Sequence, residues 1–169
     1  SMDNAGLLWL SGLAVTNTAL AINVGSGSYS GPNDTGIITG ATPVTLTRWY
    51  RHPVTGWVTT SGDVDDGFYD DGSGTLAALA GDWKKDALYV SDNNGTATFH
   101  YVYGQAKYAT QGLAEAAALP VPPVLFQVGD LTLVLAGLVV DDGTTTVTTI
   151  TDERPTLGVS GSGSGAAAT

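Results

Sequence analysis

Histidine is the usual general base of nucleophilic catalysis, and this sequence holds two, His52 and His100. Neither sits in a recognisable catalytic spacing, and no G-x-S-x-G elbow occurs anywhere in the chain. His52 precedes Pro53 and reads as a turn residue. His100 falls in the middle of an expected strand, opposite an aromatic face, and reads as a histidine on the sheet surface. Carboxylates are more numerous, in the pairs Asp65-Asp66, Asp70-Asp71, Asp141-Asp142 and Asp152-Glu153. A glycosidase needs two carboxyl groups facing each other from different segments. Neighbours on a strand point to opposite faces, so no single pair makes such a site. Asp66, Asp71 and Asp142 each precede a glycine, which is turn chemistry.

The run from Asp63 to Gly72 carries Asp63, Asp65, Asp66, Asp70 and Asp71 and is a weak calcium candidate. It departs from the EF-hand pattern, because Gly67 occupies a ligand position and no Glu closes the loop. The bland alternative is a solvated acidic loop. Gly25-Ser26-Gly27 lacks the Lys-Ser/Thr of a phosphate-binding loop. No cofactor is expected. Aromatic side chains are the remaining asset: Trp49, Tyr50 and Trp57 flank the His52-Pro53 turn. Their flat apolar faces with a polar handle suit stacking against sugars, or packing in a core or interface.

The elements that must position these residues are mostly strands. Val, Thr and aromatic residues recur between Gly, Asn and Pro turns, and predict strands at 14–18, 19–24, 36–39, 44–51 and 56–60. A hairpin is predicted from 87–91 through Asn94-Gly95 to 96–103, since both turn residues tolerate positive φ. Phe99, Tyr101 and Tyr103 then share one buried face. One short helix is predicted over 111–119, with Thr110 as its N-cap and Pro120, Pro122 and Pro123 as its stop. The apolar run 131–140 predicts a strand buried on both faces or against a partner chain. On the second reading Leu131, Leu133, Leu135, Leu138 and Val140 are subunit-interface residues. Asp141-Asp142-Gly143 then turns into a Thr-rich return strand over 144–151.

Composition bounds the rest. The chain has 169 residues, 6 basic and 16 acidic side chains and a net charge of −10. That charge argues against binding nucleic acid, which needs clustered Lys and Arg. It argues equally against an anionic membrane surface. With no cysteine, thiol chemistry and disulfides are excluded. No apolar stretch reaches the roughly 18–20 residues of a membrane-spanning helix, so no membrane insertion is expected. Ser1-Met2 reads as a cloning scar on an excised fragment. The expected organisation is a tag and connector over 1–12, a β-rich domain over 13–157 and a Gly/Ser/Ala tail over 158–169. The β-rich part divides into candidate subdomains at 13–85 and 86–157.

Phe99-His100-Tyr101-Val102-Tyr103-Gly104-Gln105 is followed by an Ala-rich helix and Pro120-Val121-Pro122-Pro123. Leu133-Val134-Leu135-Ala136-Gly137-Leu138-Val139-Val140 then leads into an Asp-Gly turn and a Thr-rich strand. This order resembles a domain of tail-fibre and other appendage (receptor-binding) proteins of tailed bacteriophages. The resemblance covers residues 13–157 and is specific mainly in the second half. Asp141-Asp142 stands where such proteins often carry a Lys or Arg. The resemblance implies a mainly β fold, an antiparallel sandwich-like or fibre-knob domain with one short helix, intertwined as a homotrimer. It also implies a non-enzymatic virion protein whose partners are its own copies, other tail proteins and a bacterial surface polysaccharide or protein receptor. Two other readings stand beside it. One is a monomeric carbohydrate-binding module with Trp49, Tyr50 and Trp57 as stacking residues. The other is a fragment of a polysaccharide-degrading tail spike whose catalytic part lies elsewhere.

Overall fold

A computed structural model of the chain describes residues 7–31, 35–128 and 132–155. Residues 1–6 and 156–169, including Leu157 and the Gly/Ser/Ala tail, lie outside the described residues. The fold is mainly β, with several antiparallel sheets. It begins with β1 (Leu8–Gly12), β2 (Val15–Thr18), β3 (Ala21–Val24), β4 (Gly27–Ser30) and β5 (Thr35–Ile38). β1, β4 and β5 form one small sheet, and β2 and β3 form another. β1 runs through the stretch expected to be a connector and pairs with β4.

Next come β6 (Leu46–His52), β7 (Gly56–Gly62), the short pair β8 (Phe68–Tyr69) and β9 (Ala77–Ala78), then β10 (Trp83–Asn93) and β11 (Thr96–Val102). The hairpin is found where the Asn-Gly signal placed it. Asn93 pairs with Thr96, and Asn94 and Gly95 take φ of 53° and 88°. β10 is longer than expected because Trp83, Lys84, Lys85 and Asp86 continue its pairing with the later strand up to Asp141. Two short helices follow, α1 (Gln111–Ala116) and α2 (Leu125–Val128). Thr110 caps α1 as expected, its hydroxyl accepting from Leu113 N–H. α2 lies just after the Pro-rich segment, where no helix is expected from the sequence. β12 (Thr132–Asp141) and β13 (Thr149–Asp152) are the last elements among the described residues.

Six strands form the main sheet in the order β13-β12-β10-β11-β6-β7. All its pairings are antiparallel except β11 with β6, which is parallel. β6 and β7 thus complete a sheet built otherwise from the second half, and one core draws on both halves. The chain does not divide at residue 85.

One face of this sheet packs under the small sheets, where Leu88, Val90, Phe99, Tyr101, Leu133 and Leu135 meet Leu13, Ile22, Val24 and Ile38. The opposite face carries a smaller core of Ala87, Tyr89, Val102 and Phe126, with Trp49, Trp57 and Leu119 against it. Both faces of β10, β11 and β12 are therefore buried, which matches the two-sided reading of 131–140. The subunit-interface reading of those residues is corrected. Leu133, Leu135, Leu138 and Val140 are 0% exposed in the single chain, so its own elements already cover them. Leu131 lies outside the described residues.

Candidate functional site

Lys84 and Asp86 stand two residues apart on β10 and so point to the same face. Both are completely buried. Lys84 Nζ lies 3.2 Å from Asp86 Oδ2 and donates to the Tyr101 hydroxyl at 3.0 Å. The Tyr101 hydroxyl in turn donates to Asp86 Oδ2, while Gly104 N–H donates to Oδ1 at 2.6 Å. Lys84 Nζ also lies 4.8 Å from the centre of the Tyr103 ring, whose hydroxyl donates to Asp65 Oδ2 at 2.8 Å. Burial pushes the Lys84 ammonium down and the Asp86 carboxyl up, and their mutual attraction opposes both shifts. Burial, reinforced by the Asp86 charge, holds the Tyr101 hydroxyl far above the ordinary tyrosine range. The buried charges and the Tyr101 hydroxyl are all satisfied by one another and by Gly104 N–H, and the network joins β10 to β11. The sequence shows three consecutive charged residues, Lys84, Lys85 and Asp86, at the start of an apolar strand, and gives no sign of which are buried.

His100 is not a surface histidine. It is 8% exposed, because α2 brings the Phe126 ring to 4.8 Å from the imidazole. Trp49 Nε1–H donates to His100 Nδ1 at 3.1 Å, and Ser91 Oγ lies 2.8 Å from Nε2. An indole can only donate, so Nδ1 accepts and the proton of the neutral ring sits on Nε2, directed at Ser91. Ser91 is thereby an acceptor and is not activated as a nucleophile. His52 behaves as read, its Nδ1 accepting from Val54 and Thr55 N–H in the β6–β7 turn.

The three candidate stacking residues do not form one platform. Trp49 and Trp57 share a face with ring centres 6.4 Å apart, but their planes meet at 72°. Trp49 packs edge-on against Phe126 at 5.3 Å. Tyr50 lies on the other face, 5.9 Å from Tyr103. The calcium candidates are likewise dispersed. Asp70 is buried and holds Arg51 through its backbone and guanidinium nitrogens at 2.9 and 3.0 Å. Asp65 accepts from Tyr103 and from Gly67 N–H, Asp66 from Thr145 N–H and Asp71 from Ser73 N–H. Asp63 is exposed. These carboxylates terminate turns, and among the described residues no group of three His, Cys, Asp or Glu could hold a metal ion.

An accessible concavity lies elsewhere, at a site the sequence did not mark. β11 pairs with β6 only from Phe99 onward, opposite Leu46. Before that point Thr96, Ala97 and Thr98 pair with β10, while Ala41 and Val44 hydrogen-bond to Val24 and Ile22 of β3 instead. The gap is a cleft of about 580 Å³. It is lined by Thr39, Thr45, Thr47, Thr96 and Thr98 and by the exposed apolar Ala41 and Pro43, with Val44 and Phe99 bordering it but themselves buried, and by no charged side chain. Such a lining can exchange hydrogen bonds with a neutral polyhydroxyl ligand and cover the apolar face of a ring. It supplies no general acid or base.

Among the described residues no helix is long and apolar enough to cross a membrane. Comparison with protein-family models, with curated proteins and with solved structures finds no match.

Proposed function

We propose that this chain is a non-enzymatic structural and adhesive domain of a tailed-phage tail fibre or related virion appendage, and that its threonine cleft holds neutral carbohydrate of a bacterial surface. The observation that carries the adhesive part is the uncharged, hydroxyl-lined cleft on a chain of net charge −10. A neutral sugar meets no desolvated charge there, whereas an acidic one would meet the repulsion of the whole molecule. The virion setting, homotrimeric assembly and contact with other tail proteins rest on the resemblance of residues 13–157.

Binding to a panel of bacterial glycans tests the site. Thr47→Arg and Thr98→Arg fill the cleft and should abolish binding, while Trp57→Ala should retain it. Loss with Trp57→Ala alone would move the ligand to the Trp49–Trp57 face. A second reading, the monomeric carbohydrate-binding module, is favoured by one fact: the apolar strand β12 is covered within the single chain. Solution mass separates the two. Three times 17.2 kDa supports the appendage trimer, and 17.2 kDa supports the module.

A further inference from the structure

The main sheet ends in two edges of opposite character. At one edge stands β13, only four residues long. Its carboxyl end is charged, with Asp152 and Arg154 paired at 2.8 Å, and Trp9 N–H donates to Pro155 O just beyond it. Shortness, charge and a covering segment are the usual devices that keep an edge from recruiting another chain. At the other edge β7 has none of them. It is seven residues long, Gly-Trp-Val-Thr-Thr-Ser-Gly, and holds no charge and no proline. It pairs with β6 through all seven residues without a bulge. Thr59, Thr60 and Ser61 are exposed, and no strand among the described residues lies beyond them.

We infer that β7 is an assembly edge, which pairs with a strand from a second copy of this chain. Charge favours a copy. Chains of net charge −10 repel across most of their surfaces, but β7 is neutral. One of the six basic side chains, Arg48, stands beside it on β6, while Arg51 on the same strand is held by Asp70. Arg48 reaches across to Thr60 Oγ1 at 3.1 Å and so brings positive charge to the edge itself. Thr-rich strands also pair well with one another, through hydroxyl contacts and β-branched packing. Val54, 85% exposed in the turn that leads into β7, adds apolar surface at the same end of the edge.

This inference rests on the self-association in the proposed function but not on the cleft. Light scattering coupled to size exclusion tests it on the full chain, with Thr59→Glu/Ser61→Glu against a control, Thr16→Glu/Thr18→Glu, that adds the same charge on exposed positions of β2. The expected result is a multiple of 17.2 kDa for the wild type and the control, and 17.2 kDa for the β7 variant with an unchanged circular dichroism spectrum. Assembly that survives in the β7 variant overturns the edge and leaves the trimer standing. A monomeric wild type overturns both, while glycan binding still reports separately on the cleft. If the β7 variant misfolds, hydrogen exchange of the wild type decides. Amides of β7 that exchange faster on dilution support the edge, and rates independent of concentration overturn it.

Discussion

At the scale of single residues the energetic centre of this molecule is the Lys84–Asp86 pair, both 0% exposed. Removing one member of a buried ion pair strands the other charge in a medium that cannot solvate it, at a cost of about 3–5 kcal/mol. Lys84→Met alone and Asp86→Asn alone should each destabilise by that order in denaturant unfolding. The double variant should recover most of the loss. The amide oxygen introduced by Asp86→Asn can still accept a hydrogen bond where the carboxylate now takes those of Gly104 N–H and Tyr101, and no charge is left unpaired. A double variant as unstable as the sum of the singles would show that the geometry of the pair, rather than its neutralisation, holds β10 to β11. Spacing in the sequence gives the shared face of these two residues, but not their burial. Burial depends on Tyr101 and Tyr103 arriving from the next strand. His100 reads as a surface residue for the same reason, since the covering ring, Phe126, comes from a short helix just after the Pro-rich segment.

At the scale of elements, what was legible is what is local. The β10–β11 hairpin is specified by its own turn, and the prediction there is conformational. Gly95 has φ of 88° and open space around the position a Cβ would occupy. Gly95→Ala should therefore cost about 1 kcal/mol, through backbone strain and not through a clash. A loss several times larger would mean that the turn makes contacts beyond its strands. β12 shows why the pattern of the apolar run misleads. Opposite Leu88 and Tyr89 stand Ala136 and Val134, so Leu135 is an extra residue, a bulge in β12. The bulge shifts the alternation by one. Leu133, the bulged Leu135, and Ala136, Leu138 and Val140 after it all join the same core. Val134 packs on the opposite face, so the strand is apolar on both faces and invites a partner chain that its own fold makes unnecessary. The parallel pairing of β6 with β11 has no local signal at all. Nor does the cleft it opens, whose walls come from segments some fifty residues apart.

At the scale of the whole molecule, tyrosine burial limits the range of pH over which the fold survives. Burial and the Glu153 charge raise the Tyr89 hydroxyl to about 12. Tyr101 and Tyr103 are raised as well, chiefly by burial. In an unfolded chain the same groups lose their protons near pH 10. Between these limits the folded state holds more protons than the unfolded one, so stability falls as pH rises. For Tyr89 the contribution is complete below pH 10 and is lost on the way to pH 12. Each such tyrosine adds a slope of up to about 1.4 kcal/mol per pH unit in that window. The acid side has its own limit, because hydrogen bonds from Arg154 hold Asp152 below the usual carboxylate range and its contribution disappears on acidification. Tyr89→Phe keeps the ring packed against Phe126 and removes one titrating group. It should leave stability near neutral pH within a small margin of wild type, and flatten the loss between pH 10 and 12 by about one proton's worth. An unchanged alkaline slope would mean that Tyr89 titrates in the native state as it does in the unfolded chain. The face of the sheet lined by Trp49, Trp57 and Phe126 would then be open to water.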